Sequence, residues 1–262
     1  MKKIFLFLAF AFTVLAANAW TKVCDEAAVI LASQHLTPEA KSVVDKYLGN
    51  KYGDDVQYLY ALEKAKTATH SEDIHYLHLD KKLKPKKSKK GDAYAAINDA
   101  LKIVKAHNSY SPKEVTTALR IIINAMCDMH YISNIRIDKI PHSKYDFEYT
   151  RPNGDYGKRK NAISKFKWSR TWAGFNYPRG YSAAYRAYDM KLCLGDRYAE
   201  FTKGTLADWA SDNGAIAARY LEIFQPDRRV AYMDHMMRED DSYDMLIKAS
   251  CRLAALLNQT IK

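Results

Sequence analysis

Two places in the sequence hold residues that can bind a metal ion or transfer a proton. Segment 74–78 contains His75 and His78, and Glu63 lies upstream in a stretch with helical periodicity. Asp128 lies near the end of a long predicted helix. Imidazole nitrogen and carboxylate oxygen are donors that zinc and other divalent cations take in proteins. These residues indicate a candidate metal site, although two histidines at short spacing are a weakly specific pattern.

Asp128 shares one face of the predicted helix with Arg120 and Asn124, because the three residues are spaced four apart. This face runs beside an apolar stripe, so the carboxylate lies at the edge of a buried layer. Such a carboxylate is either a structural group, hydrogen-bonded or paired with Arg120, or a metal ligand. The residues alone leave both interpretations open.

The elements that position these residues are predicted to be α-helices, and alternating strand patterns are nearly absent. Thr37, Asp92 and Ser111 are typical N-caps, and Ser111 forms a capping box with Glu114. The apolar stripe of the central helix consists of Val115, Leu119, Ile122, Met126 and Met129. The predicted helices cover residues 37–49, 93–107, 111–129, 206–224 and 243–257.

Two segments are predicted to be irregular. Segment 80–92 contains seven lysines around a proline and a glycine, which favours a mobile, solvated loop or an arm that attracts phosphate. Segment 141–178 mixes Gly, Pro and Asn with basic and aromatic residues. Its rings either stack on bases or sugars or, more commonly, pack against the protein body.

The beginning of the chain has the pattern of a signal peptide. Lys2 and Lys3 precede an apolar run at 4–16, and a small-x-small site follows at 17–19. We therefore expect residues 1–19 to be removed, and the remaining 20–262 to form one exported domain, periplasmic or extracellular. The apolar run is too short for a permanent membrane anchor, and no later segment is long and apolar enough.

Composition narrows the partners but does not identify a reaction. The formal net charge is +11, which favours polyanionic partners such as nucleic acid or a membrane surface. The four cysteines are too far apart in sequence for a CxxC metal knuckle. In an exported protein they can form up to two disulfides or remain as buried thiols. They are Cys24, Cys127, Cys193 and Cys251.

Several short motifs occur together in an order that resembles a known family. They lie at Trp20–Asp25, Ser33–His35, Pro38–Ala40, Ala118–Asp128, Asp155–Lys158, Trp172–Ala173, Trp209–Ala210 and Arg252–Asn258. This order resembles the S-one/P-one nucleases, which are zinc-dependent single-strand nucleases and 3′-nucleotidases. The resemblance implies an all-α, single-domain fold of the phospholipase C/nuclease type with long irregular loops.

The resemblance also implies a set of metal ligands. In the family, three zinc ions are held by the main chain of an N-terminal tryptophan and by histidine and aspartate side chains. The matching positions here that keep a competent donor are Trp20, Asp25, Glu63, His75 and Asp128. Asp25 replaces a histidine and Glu63 an aspartate, while His78 is the alternative to His75 if the alignment shifts. Asp128 would be the bridging, catalytic carboxylate.

Other ligand positions carry residues that the family does not have. Asn124 and Asn134 stand where histidines are expected, and Ser169 and Ala173 replace the last donor pair. His130 is a poor substitute for these missing ligands. It lies two residues after Asp128, and on a helix this spacing rotates it about 200° away from the Asp128 face. Tyr76 matches the ring that stacks on a nucleobase in the family.

These replacements imply a degenerate site and an impaired or noncatalytic protein. We expect it to bind nucleotides or single-stranded nucleic acid. The site would hold at most one zinc or another divalent cation, with calcium or magnesium suited to the carboxylates, and a full three-zinc cluster is not expected. One alternative is a residual metal-dependent endonuclease or 3′-nucleotidase. A second is a glycan-binding or protein-interaction module on the same scaffold.

Overall fold

The computed structural model describes residues 20, 22–49, 72–88, 91–150, 163–168, 172, 182–225 and 232–262. Glu63, Ser169, Ala173 and the predicted signal peptide lie outside these residues. The described helices are α1 (Lys22–Ser33), α2 (Pro38–Leu48), α3 (Ala93–Lys105), α4 (Pro112–Met129), α5 (Ala183–Leu194), α6 (Tyr198–Phe201), α7 (Leu206–Ile223) and α8 (Tyr232–Thr260). The prediction of a mainly helical protein is confirmed.

The helices begin where the sequence places their caps. The Thr37 hydroxyl accepts a hydrogen bond from the Ala40 backbone N–H at 3.2 Å, and Asp92 accepts one from Ala95 at 2.7 Å. Ser111 and Glu114 form the predicted capping box at the start of α4. These side chains satisfy N–H groups that have no acceptor within the first helical turn.

Helix α4 lies at the centre of the core. It packs against α3, α8, α2 and α1. All residues of the predicted apolar stripe are buried, which confirms the helical spacing from which the stripe was predicted. Its members are Val115, Leu119, Ile122, Met126 and Met129.

The last helix is longer than predicted, because α8 begins at Tyr232 rather than near residue 243. Its C-terminal half carries the expected buried face, which includes Leu246 and Leu253. The added turns are rich in Asp, Glu and Arg, so apolar periodicity does not reveal them. Within the described part of the chain, no helix combines the length and apolarity that crossing a membrane requires.

Four short strands accompany the helices, which qualifies the all-α prediction. Strands β1 (Leu77–Leu79) and β2 (Ile135–Ile137) pair in parallel, with Leu77 opposite Ile135. Strands β3 (Asp146–Thr150) and β4 (Ile163–Lys167) form an antiparallel pair. Three-residue strands are too short to show the alternating pattern from which strands are predicted.

The lysine-rich segment forms a hydrogen-bonded turn where an irregular loop was predicted. The Asp80 carboxylate accepts hydrogen bonds from the backbone N–H groups of Lys82 at 2.7 Å and Lys84 at 2.9 Å. The Lys86 ammonium lies 2.5 Å from the Asp138 carboxylate. We call residues 80–88 the lysine turn. The predicted mobility of this segment stays a prediction.

The described aromatic side chains of segment 141–178 pack against the body. Trp168 and Trp172 are buried with ring centroids 5.5 Å apart, and Trp172 lies 4.8 Å from the Tyr220 ring. The Trp168 indole N–H donates to the Ile132 carbonyl at 3.3 Å. These rings are part of the core rather than a platform for bases.

The cysteines are present as thiols. Cys24, Cys127 and Cys251 are buried, and Cys193 is exposed. Burial raises the pKa of the Cys251 thiol to about 12, because the thiolate is poorly solvated there.

Candidate functional site

The Asp128 carboxylate is buried at the C-terminal end of α4 and is bonded on both oxygens. His75 Nδ1 lies 2.5 Å from Oδ2, and the Asn134 amide donates to Oδ1 at 3.3 Å. We call Asp128, His75 and Asn134 the Asp128 cluster. The cluster contains two predicted ligand residues and one position, 134, where the resemblance leads us to expect a ligand.

The parallel strand pair brings two of these residues together. His75 ends a short helical turn (Glu72–His75) just before β1, and Asn134 ends another (Ile132–Asn134) just before β2. Parallel strands place their amino ends at the same edge of a sheet. His78 instead lies within β1, opposite Arg136. Of the two candidate histidines, His75 is therefore the one whose bond to Asp128 the structure shows.

Trp20 and Asp25 lie beside the same end of α4. The Trp20 indole N–H donates to the Cys127 carbonyl at 3.3 Å, and its ring centroid is 4.9 Å from that of Tyr131. Burial raises the pKa of Tyr131 to about 12, and the nearby Asp25 charge adds to this increase. The fold thus gathers Trp20 and Asp25 near Asp128, across more than a hundred residues of sequence.

Pairing of Asp128 with Arg120, one of the alternatives that the sequence left open, is not found among the described residues. Asp128 bonds His75 and Asn134, and no ion pair is seen for Arg120 among the described residues. The buried Arg120 Nε and Asn124 Nδ2 atoms each lack a hydrogen-bond acceptor in the described part of the chain. The helix face shared by Arg120, Asn124 and Asp128 was predicted correctly, and Asp128 is hydrogen-bonded there by Asn134 and His75 instead of being paired with Arg120.

Tyr76, the predicted stacking residue, has a cation over its ring. The Arg136 guanidinium lies 4.5 Å from the Tyr76 ring centroid and 5.1 Å from that of Tyr145. Arg136 also donates to the Ser133 carbonyl at 2.6 Å, which fixes its position. A nucleobase would therefore have to displace Arg136 or use the other face of Tyr76.

A second cluster of polar side chains lies on the other side of α4 from the Asp128 cluster. Sequence reasoning did not predict this cluster. Arg252 donates through Nη1 to His130 Nε2 and to Asn213 Oδ1, both at 3.2 Å. Its Nε donates to the Phe201 carbonyl at 3.0 Å, and Nη2 to Asp212 at 3.1 Å. We call Arg252, His130, Asn213 and Asp212 the Arg252 network. Its members come from α7, α8 and the residue after α4, so no single sequence motif contains all of them.

The bonds of the Arg252 network define the protonation of His130. His130 Nδ1 lies 2.8 Å from the Met126 carbonyl, which only accepts, so Nδ1 carries the proton. Arg252 only donates, so His130 Nε2 is an unprotonated acceptor. Burial, and next the Arg252 charge, hold the pKa of His130 well below its usual value. His130 is therefore neutral and points away from Asp128, as its helical rotation predicts.

Within the described ranges, no group of three or more His, Cys, Asp or Glu side chains is placed to hold an ion. The close contact with Asp128 also engages His75 Nδ1. Glu63 is not among the described residues. Binding of one zinc or another divalent cation stays a prediction.

Comparisons with known proteins add no assignment. A scan against protein-family models matches no family. A search of curated proteins also returns no match.

Proposed function

We propose that this protein binds nucleotides or single-stranded nucleic acid through a nuclease-like site that has lost ordinary three-zinc catalysis. The bonding of Asp128 is the observation that carries this proposal. An amide N–H cannot ligate a cation, yet Asn134 directs one at Asp128 Oδ1. His75 engages the other oxygen at 2.5 Å. Asn134 therefore supplies a hydrogen-bond donor at a position where the resemblance implies a metal-binding histidine.

The charge of the protein supports a polyanionic ligand. The net charge is +11, and the lysine turn contributes five lysines between residues 81 and 87. Some of this charge is compensated locally: Lys86 pairs with Asp138 at 2.5 Å. Hydrogen bonds from Lys84 N–H and Lys82 N–H, with the charges of Lys82 and Lys86, hold the pKa of Asp80 below its usual value. The turn thus provides attraction to a nucleic-acid backbone without base specificity.

The test is binding of a labelled single-stranded oligonucleotide to protein that begins at Trp20, followed by fluorescence anisotropy over a series of salt concentrations. Affinity should fall as salt rises, because lysines that contact phosphates release counterions. Replacing Lys81, Lys82 and Lys84 by glutamine should weaken binding and reduce the salt dependence. Absent or salt-insensitive binding would contradict the proposal.

A residual metal-dependent phosphodiesterase or 3′-nucleotidase is the second candidate. The observation that favours it is the position of Trp20, Asp25, His75 and Asp128 at one end of α4. Elemental analysis and turnover of single-stranded DNA should be measured on the same sample. Near-stoichiometric zinc with chelator-sensitive turnover, abolished by Asp128→Ala, would establish this candidate and overturn the noncatalytic one.

A further inference from the structure

Two hydrogen-bond donors on α4 have no acceptor among the described residues. They are the Nε–H of Arg120 and the amide Nδ2 of Asn124. Asn124 is only 4% exposed, so water reaches its amide poorly. Arg120 is half-buried, with its Nε atom inaccessible to solvent. The described residues therefore do not supply the acceptor that each of these two donors requires.

The two donors are neighbours on the helix. Residues four apart lie on the same face, and a helical side chain leans toward the helix N-terminus. This directs the Asn124 amide toward the turn that carries Arg120. Asp128 follows on the next turn, but its oxygens already bond His75 and Asn134. The two donors thus lie beside the Asp128 cluster and are not satisfied by it.

An unsatisfied buried donor lowers the stability of the protein. Asn213 is also a buried asparagine, and it shows how the amide of such a residue is normally hydrogen-bonded. Its amide nitrogen donates to the Met129 carbonyl at 2.9 Å, and its oxygen accepts from Arg252 at 3.2 Å. Asn124 lacks the first of these bonds. The missing partner is an acceptor from outside the described chain.

The chemistry of the donors defines the ligand class. Arg120 is permanently cationic and presents a planar set of N–H groups, and Asn124 adds another N–H. These N–H groups match the hydrogen-bonding geometry of an oxyanion, such as a phosphoryl group or a carboxylate. We propose that Arg120 and Asn124 form an oxyanion-binding site next to the Asp128 cluster. This oxyanion site does not depend on the proposed nucleic-acid function, because a small anion that carries no nucleobase can accept the same hydrogen bonds.

The test uses isothermal titration of the Trp20–Lys262 protein with inorganic phosphate, acetate and adenosine monophosphate. Arg120→Met and Asn124→Leu should each weaken oxyanion binding about tenfold or more, as expected when a charge-assisted hydrogen bond is lost. Lys113→Met removes a charge from an exposed position at the start of the same helix and should leave binding unchanged. Phosphate binding without acetate binding would identify a phosphoryl site, and binding of both would identify a general oxyanion site.

A second variant separates a binding defect from a folding defect. Asn124→Asp keeps the size of the side chain but replaces the N–H donors with a charged acceptor, so it should repel the anion. Circular dichroism should show an intact helical fold. No oxyanion binding by the unmodified protein, or an equal loss in Lys113→Met, would overturn the proposal. Oligonucleotide binding on the same variants is a separate readout: its absence alone would count only against the nucleic-acid function.

Discussion

Two sides of α4 carry buried polar groups that differ in how completely their hydrogen-bond donors and acceptors are paired. On one side, the Arg252 network satisfies each bonding group of its arginine and of Asn213. On the other side, next to the Asp128 cluster, Arg120 and Asn124 each have a donor with no acceptor among residues that the structure describes. A saturated network stabilises the fold and has no capacity left for a ligand. A polar region whose donors lack acceptors lowers the stability of the fold. A ligand that supplies those acceptors is expected to bind there.

The largest effect should come from removing the centre of the Arg252 network. The Arg252 side chain is 3% exposed, so Arg252→Met leaves the His130 Nε2, Asn213 Oδ1 and Phe201 carbonyl acceptors buried without a donor. We expect a loss of about 3 kcal/mol or more in the free energy of unfolding, measured with denaturant. Arg219→Met is the matched control, because that side chain is 43% exposed and should change stability by less than about 1 kcal/mol.

The buried residues Asn124 and Asn213 should respond in opposite directions to the same substitution. Asn213→Leu breaks bonds to Met129 and Arg252 and should cost about 2 kcal/mol of unfolding free energy. Asn124→Leu removes a donor that has no acceptor in the described chain, so the melting temperature should stay the same or rise. Equal destabilisation by both variants would contradict the comparison between the two sides of α4.

Acid should weaken the Arg252 network through His130. The pKa of His130 is held well below its usual 6.5 in the folded protein, first by burial and next by Arg252, so the unfolded chain binds the proton more readily. Stability from this group is therefore complete above about pH 6.5 and falls as the pH drops, by up to about 1.4 kcal/mol per pH unit. His130→Gln, compared with the unmodified protein by denaturant unfolding across this range, should remove part of the slope. The same slope in both proteins would exclude His130 as its source.

The smallest effect should come from the Asp128 cluster. Asn134→Ala removes one hydrogen bond of 3.3 Å, while Asp128 keeps its contact with His75. We expect a loss of about 1 kcal/mol or less in the free energy of unfolding. A loss as large as that of Arg252→Met would show that the Asp128 cluster is as important for the fold as the Arg252 network.

Local sequence signals predicted the helices well. Thr37, Asp92 and Ser111 cap the helices at which they were expected to act, because capping bonds join residues only three apart. The start of α8 was missed because four consecutive charged residues at 238–241 interrupt the apolar periodicity of the sequence. Strands β1 and β2 were missed because their pairing joins segments more than fifty residues apart.

The candidate site was predicted only in part. The shared face of Arg120, Asn124 and Asp128 follows from helical spacing. His75, the preferred candidate ligand, contacts Asp128, while its role as a metal ligand stays a prediction. The sequence left the partner of Asp128 open, and the structure shows contacts with His75 and Asn134. The partners of a buried group depend on which segments the fold brings together, and spacing within one helix does not report them.

The sequence by itself determined the helical class, the caps, the apolar stripe of α4 and the excess of positive charge, because these depend on nearby residues or on composition alone. Tertiary structure decided which polar groups are satisfied. Asn124 and Asn213 are the same residue type, each within a helix, and each is buried. Only Asn213 lies within reach of Arg252 and the Met129 carbonyl, because α7 and α8 pack beside the end of α4. Hydrogen bonds act over about 3 Å, so the role of each asparagine is set by long-range packing rather than by its place in the sequence.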